Sequence, residues 1–433
     1  MLSRVDVTSA NCGQVASKLR ERTRANAQLR DSVSEIVSDV RARKDAALRE
    51  YCMRFDGADL SRASIAVADS EIDTALKRAD PVTVKSLRYS MKKISRVQRE
   101  LVKRIGLSMN VGGFHVSAAP RPIPSVGCYV PGGRASYASS VLMTAGVAKT
   151  AGVQRIVLCT PGSAGGRVTD EILAAARIAG VDEVYRVGGA QSIAAMAYGT
   201  ESMGPVSKIV GPGGMYVSVA KQIVSADVAT DFYAGPTEIV VFADDSLPPR
   251  TAAWDLVAQA EHGTETFCGL VTVSEEYASK VSGEISKLLP SLVRGEHVRG
   301  AIANGFAAVC EDEAIACKFI NALSPEHLEI VTHNPERAAS KIGAAGLKLL
   351  GKYAPCSASD YVVGTDHVIP TGGFSVARGP LSVLDFVKLD WSVSGSRTGL
   401  RRALGALRAL SEAEGLPNHH LSAESRYRRD GTG

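Results

Sequence analysis

Apolar residues fall along this chain in two textures. Between about 10 and 105 they recur at helical spacing with few Gly or Pro. In "RYSMKKISRVQRELVKR" at 88–104, Met91, Ile94, Val97 and Leu101 mark one face of an amphipathic helix. From about 126 the texture changes to short unbroken apolar runs, each followed by a glycine turn and an Ala-rich segment. "RIVLCTPG" leads to "VTDEILAAARIAG", "EVYRVGG" to "AQSIAAMAYG", and "KIVGPGG" to "MYVSVAKQIV". Runs of this kind suit strands buried on both faces, so repeated strand–turn–helix units predict a parallel sheet covered by helices.

The alternation resumes after 236. "TEIVVFAD" precedes "RTAAWDLVAQAEH", "FCGLVTVS" precedes "EEYASKVSGEISKLL", and "FAAVCED" precedes "EAIACKFINAL". A second α/β unit is therefore predicted, completed by the N-terminal helices. After about 380 the strand signal fades, and "SGSRTGLRRALGALRALSEAEGL" reads as a helical tail. Such a tail has its own apolar face and little sequence left to pack against, so docking on another domain or subunit is expected.

Composition narrows the class. The 433 residues exceed one ordinary core, and 45% hydrophobic with 22% charged residues is usual for a globular protein. The net charge of +5 is small, and its main cluster, 88–104, is the solvated face of the predicted helix. Without aromatic interleaving or a wider basic surface, neither nucleic acid nor membrane is an expected partner. The opening "MLSRVDVTSANCGQ" lacks the apolar core of a secretion signal, and no long apolar run occurs, so a cytoplasmic location is expected. The eight cysteines are scattered with no CxxC pair and read as reduced core residues.

Three glycine turns could carry a phosphate: "YVPGGRAS" at 129–136, "RVGGAQS" at 186–192 and "IVGPGGMY" at 209–216. None matches GxGxxG, and on this motif alone nucleotide binding and plain turn geometry both stay open. "LVAQAEHGTE" places Gln259 and His262 three residues apart on one predicted helix face. Alone, the pair suits an ordinary helix end as well as a metal site. Distant companions include Asp360 and His367 in "ASDYVVGTDHVIPTGG" and Glu414, His419 and His420 in "EGLPNHHLSA". Two imidazoles, a carboxylate and an amide could fill a four-ligand shell. "LSPEHLEI" sets Glu326 beside His327; the plain alternative is that Pro325 opens a helical turn with Glu326 in it.

Taken together, "YVPGG" with "SSVLMTAGVAKTAGV", "VGGAQSIAAMAYGT", "KIVGPGG", "AGPTEIVVFAD", "AQAEH", "SPEHLEI", "SDYVVGTDHVIPTGG" and "EGLPNH" occur in an order that resembles the histidinol dehydrogenase family. The likeness runs from "FDG" near 55 to the C-terminal "EGLPNHHLSA". It implies an α/β fold of two incomplete Rossmann-like parallel-sheet domains, similar to aldehyde dehydrogenases, in a domain-swapped homodimer. The implied divisions are an N-terminal helical segment at 1–25, a first domain at 26–128 plus 236–379, a second at 129–235, and a C-terminal helical dimerisation segment at 380–433.

The resemblance also implies zinc on Gln259, His262, Asp360 and His419, with His419 lent by the other subunit. It implies a catalytic pair at Glu326 and His327. Substrate contacts fall on Thr237, His367 and Glu414 together with His327 and the metal ligands, and NAD contacts on Tyr129, Gln191 and Gly214. Thr237 stands where the family typically has serine, and Gly214 where it usually has asparagine. The implied reaction is the oxidation of L-histidinol to L-histidine by two hydride transfers through an aldehyde. Two tasks at one carbon explain the adjacent pair. A neutral imidazole, of reference pKa about 6.5, removes the hydroxyl proton, and a carboxylate serves the water that adds to the aldehyde. Retained Glu414 and His367 weigh against a paralogue oxidising another polar alcohol, and the intact pair weighs against a non-catalytic zinc-stabilised dimer.

Overall fold

The apolar run at 238–243 becomes the strand Glu238–Ala243 inside a six-stranded parallel sheet. The order across this sheet is Ser3–Val7, Phe306–Cys310, Phe267–Thr272, Glu238–Ala243, His327–Val331 and Leu347–Leu350. Every residue of Glu238–Ala243 and of Phe267–Thr272 is buried, as expected of strands covered on both faces. One face packs on helices Pro249–Ala260, Glu275–Leu288 and Gly295–Asn304 through Val241, Leu256, Val281 and Ile302. The other packs on Cys12–Glu21 and Glu313–Leu323 through Val240, Leu19, Phe319 and Ile320. Each such aliphatic side chain contributes about 1.5–3 kcal/mol by leaving water. This computed structural model describes residues 1–21, 27–61, 63–132 and 136–427.

A second, five-stranded parallel sheet has the order Glu183–Tyr185, Arg155–Cys159, Ser125–Tyr129, Lys208–Val210 and Ala229–Thr230. Its crossovers are helices Asp170–Ala179, Gly189–Tyr198 and Met215–Val224. Helix Ala27–Arg43 packs on the last two of these, and Asp69–Arg78 on the first. The α/β fold with parallel sheets is thus present. Among the described residues, no helix is long and apolar enough to cross a membrane. All eight cysteines are free and buried.

Residues 100–122 and 387–427 form a separate compact unit. It holds an antiparallel sheet ordered Val387–Gly395, Phe114–Pro122 and Leu107–Val111, and helices Arg397–Ala413 and Asn418–Glu424. In register, Trp391 and Leu107 flank Ala118, while Val393 and Met109 flank Val116. One face therefore carries Leu107, Met109, Val111, Leu389, Trp391 and Val393, all exposed.

The sequence pattern foresaw helix alone at both ends. In fact Ser3–Val7 is an edge strand of the large sheet, and Val387–Gly395 is a nine-residue strand. Both depart from the continuous apolar runs that mark buried parallel strands. "VKLDWSVSG" alternates apolar with polar residues, which is the signature of a half-exposed antiparallel strand.

Candidate active site

A cavity of about 600 Å³ lies where the C-terminal ends of the five-stranded sheet meet the entering ends of the six-stranded one. Pro131 and the turn Pro212–Gly214, both just past strand ends, line one side. Thr237 and Glu326, each one residue ahead of a strand, line the other. The turn is built for close approach. Gly211 has φ +124°, and a Cβ there would stand 2.1 Å from the Tyr129 carbonyl oxygen, so only glycine fits. Beneath it the buried Asp231 carboxylate accepts from Gly211 N at 2.8 Å and from Lys221 Nζ at 2.6 Å. Lys221 also donates to the Gly211 and Phe232 carbonyls, so this buried charge pair is fully hydrogen-bonded. Of the 129–136 turn, residues 133–135 lie outside the described residues.

Glu326 and His327 do not start a helix. Helix Glu313–Leu323 ends at Ser324, whose φ of +47° turns the chain, and Pro325 and Glu326 then lead into the strand His327–Val331. Glu326 Oε2 accepts from Thr237 Oγ1 at 2.8 Å and from Glu238 N at 2.7 Å. His327 Nδ1 lies 3.1 Å from the Glu238 carbonyl oxygen, which can only accept. Nδ1 therefore carries the proton, and in the neutral ring Nε2 holds the lone pair. That Nε2 is buried without a hydrogen-bond partner, 3.7 Å from Asp360 Oδ1. Burial opposes charging of the ring, while the Cys356 sulfur and the Glu326 carboxylate favour it, and the net pKa lies above the ordinary value. Burial, reinforced by Glu326, pushes the Glu238 carboxyl up to about 8, although the Gly372 N–H opposes this.

Metal-type donors converge beside the pair. Gln259, 4% exposed near the end of helix Pro249–Ala260, donates Nε2–H to Thr237 Oγ1 at 2.7 Å. That bond fixes the amide's orientation, and its Oε1 lies 3.7 Å from Cys356 Sγ. His262 follows two residues past the helix and stacks on Tyr137, with ring centroids 6.2 Å apart. It is exposed by area but set among enough protein that desolvation lowers its pKa and favours the neutral, ligating form. His367 Nδ1 donates to the Asp360 carbonyl at 2.9 Å, and its Nε2 pairs with Ser140 Oγ at 3.1 Å. His327, Cys356 and Asp360 present ligand atoms all within 4.8 Å of one another. Imidazole, amide oxygen, carboxylate and thiol form a donor set that fits a borderline divalent cation.

Thr237, Gln259, His262, Glu326, His327, Asp360, His367 and Gly214 thus line one cavity. Tyr129 and Gln191 do not. Tyr129 is buried with its hydroxyl accepting from Gly189 N at 3.3 Å, and Gln191 is 1% exposed with Nε2 unpartnered. Glu414 and His419 belong to the other compact unit, where both are exposed. His419 Nδ1 donates to the Leu416 carbonyl, leaving Nε2 as the ring's acceptor, whereas His420 is buried against Ser411. Of the two neighbours, His419 is exposed and His420 is buried. Sequence reasoning passed over Glu238, Cys356 and Tyr137. A carboxylate opening the otherwise apolar "EIVVFA" was the available signal for the first. Nothing in "APCSASD" singled out the thiol.

The fold and this pocket define an α/β enzyme with a buried acid–imidazole pair, a cluster of cation donors and a glycine turn at a parallel-strand end. The family model described as histidinol dehydrogenase matches residues 19–427, so the chain belongs to that family and is an oxidoreductase of histidine, hence amino-acid, biosynthesis. It is 40% identical to a histidinol dehydrogenase of Heliobacterium mobile over 402 residues, covering 93% of this chain and 94% of that one. It is likewise 40% identical to one of Methanothermobacter thermautotrophicus over 415 residues, covering 95% and 96%. The solved histidinol dehydrogenase of Elizabethkingia anophelis superposes with a TM-score of 0.92 at 30% identity, covering 98% of both chains.

Proposed function

We propose that this chain oxidises L-histidinol to L-histidine through the aldehyde, using zinc and NAD, as the last step of histidine biosynthesis in the cytoplasm. The observation that carries the reading is the unpartnered Nε2 of His327, set beside Glu326 and the Gln259, His262 and Asp360 donors in one cavity. His327 Nε2 takes the substrate hydroxyl proton, with Nδ1 anchored on the Glu238 carbonyl so that the ring keeps its tautomer. Glu326, its Oε2 held by Thr237 and Glu238, serves the water that adds to the aldehyde carbon, through the oxygen left out of those bonds. Gln259, His262, Asp360 and His419 of the partner subunit would hold the zinc. When bound, that ion supplies a fixed positive charge that orients the substrate's imidazole and amine and favours the neutral form of His327.

Thr237, His367 and Glu414 orient the substrate. The dinucleotide lies along the 129–235 half, inserted between the strands of the other, with its pyrophosphate at the Pro212–Gly214 turn ahead of helix Met215–Val224. Tyr129 and Gln191 act from beneath as supports of that half, Tyr129 through its bond to Gly189. The exposed apolar sheet face of Leu107, Met109, Leu389, Trp391 and Val393 supports a homodimer, since a surface of this kind suits burial against a second copy.

Purified zinc-loaded protein given L-histidinol and NAD should form two NADH for each histidine. One NADH per product, or turnover only of another alcohol, would refute the reading. Mixing His262→Ala with His419→Ala protein should restore activity through hybrid dimers; subunit exchange without recovery would refute the shared site.

A further inference from the structure

The five-stranded sheet runs outward from Ser125–Tyr129 to Arg155–Cys159 and Glu183–Tyr185, then returns to Lys208–Val210 on the other side of its first strand. The strand order therefore reverses between Ser125–Tyr129 and Lys208–Val210, and the crevice outside the carboxyl ends there is where open parallel sheets take a dinucleotide. With the pyrophosphate at Pro212–Gly214 and the reacting end at Glu326 and His327, the far nucleoside is left the ends of the three outward strands to lie on. Those ends adjoin one another. A Cβ on Gly132, which lines the cavity, would stand 3.0 Å from Pro161 Cγ, and a Cβ on Gly188 would stand 2.6 Å from Pro161 Cβ.

Three buried polar atoms at these ends have no hydrogen-bond partner: Thr160 Oγ1, Gln191 Nε2 and Asp56 Oδ2. Asp56 comes from outside the sheet's own sequence. It is the last residue of the single π-turn Cys52–Asp56, whose Cys52 packs in the core with Tyr129, Cys159 and Val187. Turns of this kind are rare and recur at functional sites. This one carries the carboxylate to Gly188, with Oδ2 3.2 Å from where a Cβ on that glycine would stand. Burial raises the Asp56 pKa to about 6 while the Gly188 N–H opposes the shift, so the group is mainly ionised at neutral pH. An ionised acceptor left without a donor is costly, and a hydroxyl-bearing ligand would supply what is missing. The residue is only half-buried, which leaves it open to such a ligand.

We propose that Asp56 accepts the 2′-hydroxyl of the adenosine ribose and thereby makes the site prefer NAD to its 2′-phosphorylated form. The inference rests on the NAD-linked function proposed above and adds to it the residue that reads the far end of the cofactor. A carboxylate accepts a hydroxyl by a charge-assisted hydrogen bond, and it repels a phosphate set in the same place.

The test is the affinity of the zinc-loaded full-length protein, read by fluorescence titration, for NAD, for NADP and for an NAD lacking the adenosine 2′-hydroxyl. Native protein should bind NAD ~10-fold or more tightly than either of the others, the worth of one hydrogen bond to a charged group. Asp56→Asn keeps the shape and an acceptor for the Gly188 N–H but removes the charge. It should lower the preference for NAD over NADP by ~10-fold or more. A mere support of the Gly188 turn would weaken all three ligands alike, so an unchanged preference in Asp56→Asn would overturn the proposal. Native protein that binds NAD and its 2′-deoxy form equally would overturn it without any variant, leaving the NAD-linked function standing. Native protein that binds none of the three would overturn both.

Discussion

Glu238 and Glu326 hold each other by reciprocal hydrogen bonds, the N–H of Glu238 donating to the Glu326 carboxylate at 2.7 Å and the N–H of Glu326 donating back at 3.2 Å. Glu238 opens one strand and Glu326 immediately precedes the neighbouring strand His327–Val331, whose register pairs His327 with Ile239, so the sheet brings the two carboxylates face to face. Two carboxylates this close and this buried do not both ionise readily. The strain falls on Glu238, which burial and Glu326 push up to about 8. Glu238 is in this way a support that fixes Glu326 while remaining largely uncharged at neutral pH.

A stability prediction follows, and its sign is set by the direction of that shift. A carboxyl with a raised folded-state pKa binds more protons folded than unfolded, so its stabilisation is full at low pH. It is lost as pH rises from about 4.5 through about 8. Glu238→Gln cannot ionise and escapes that loss. Between pH 5 and pH 8 the unfolding free energy of the variant should gain on the native protein by about 2–5 kcal/mol. Urea unfolding at each pH measures it, and a constant gap would show that Glu238 does not titrate in this window.

Thr237 bridges Gln259 and Glu326, accepting from Gln259 Nε2 and donating to Glu326 Oε2. Thr237→Val keeps the shape and removes the hydroxyl, which frees the Gln259 amide to rotate and leaves Glu326 one bond short. Metal affinity and kcat should each fall by ~10- to 100-fold, with Thr237→Ser close to native. Competition with a chelator and steady-state rates check the two separately. Loss of kcat at unchanged metal affinity would mean that Gln259 is oriented by something else.

Lys221 tests the floor of the glycine turn. Its ammonium and Asp231 are both almost fully buried, and between them they hold Gly211 through its N–H and its carbonyl. Lys221→Met leaves an uncompensated carboxylate and should cost about 3–5 kcal/mol in urea unfolding. Lys221→Met with Asp231→Leu should recover much of that stability, yet bind NAD more weakly than the native protein, because the Gly211 turn has lost its anchors. Equal NAD affinity in the double variant would separate the turn from the cofactor.

How much of this was legible beforehand follows from where each signal lives. The runs "RIVLC", "EIVVFA" and "FCGLVT" announced parallel strands because a strand covered on both faces must be apolar throughout. Gln259, His262, Asp360 and the pair at 326–327 stood out as motifs, and the pocket gathers all five. The antiparallel strands at 107–122 and 387–395 escaped notice, since alternation over a few residues competes poorly with a strong helical pattern nearby. Glu238 and Cys356 escaped for a different reason. Their importance arises from strand register and from the aim of one helix, neither of which any local string encodes.

Gly214 offers the sharpest test of the proposed cofactor site. Its φ of −64° is ordinary for any residue, and nothing lies within 4 Å of where a Cβ would stand, so neither strain nor close approach requires glycine here. Gly211, three residues earlier, shows the contrast, since a Cβ there would collide with the Tyr129 backbone. Gly214→Asn should therefore fold as the native chain does. As the N-cap of helix Met215–Val224, an asparagine would also satisfy a free backbone N–H that glycine leaves without a side-chain partner. Its amide, on the cavity wall, is then positioned to reach a bound dinucleotide. One added hydrogen bond of about 1 kcal/mol corresponds to ~5-fold tighter binding. NAD titration monitored by fluorescence should show the gain alongside a small rise in unfolding temperature. A rise in stability without a gain in affinity would mean that the dinucleotide passes this turn at a distance, and that glycine at 214 weakens the helix rather than the cofactor site.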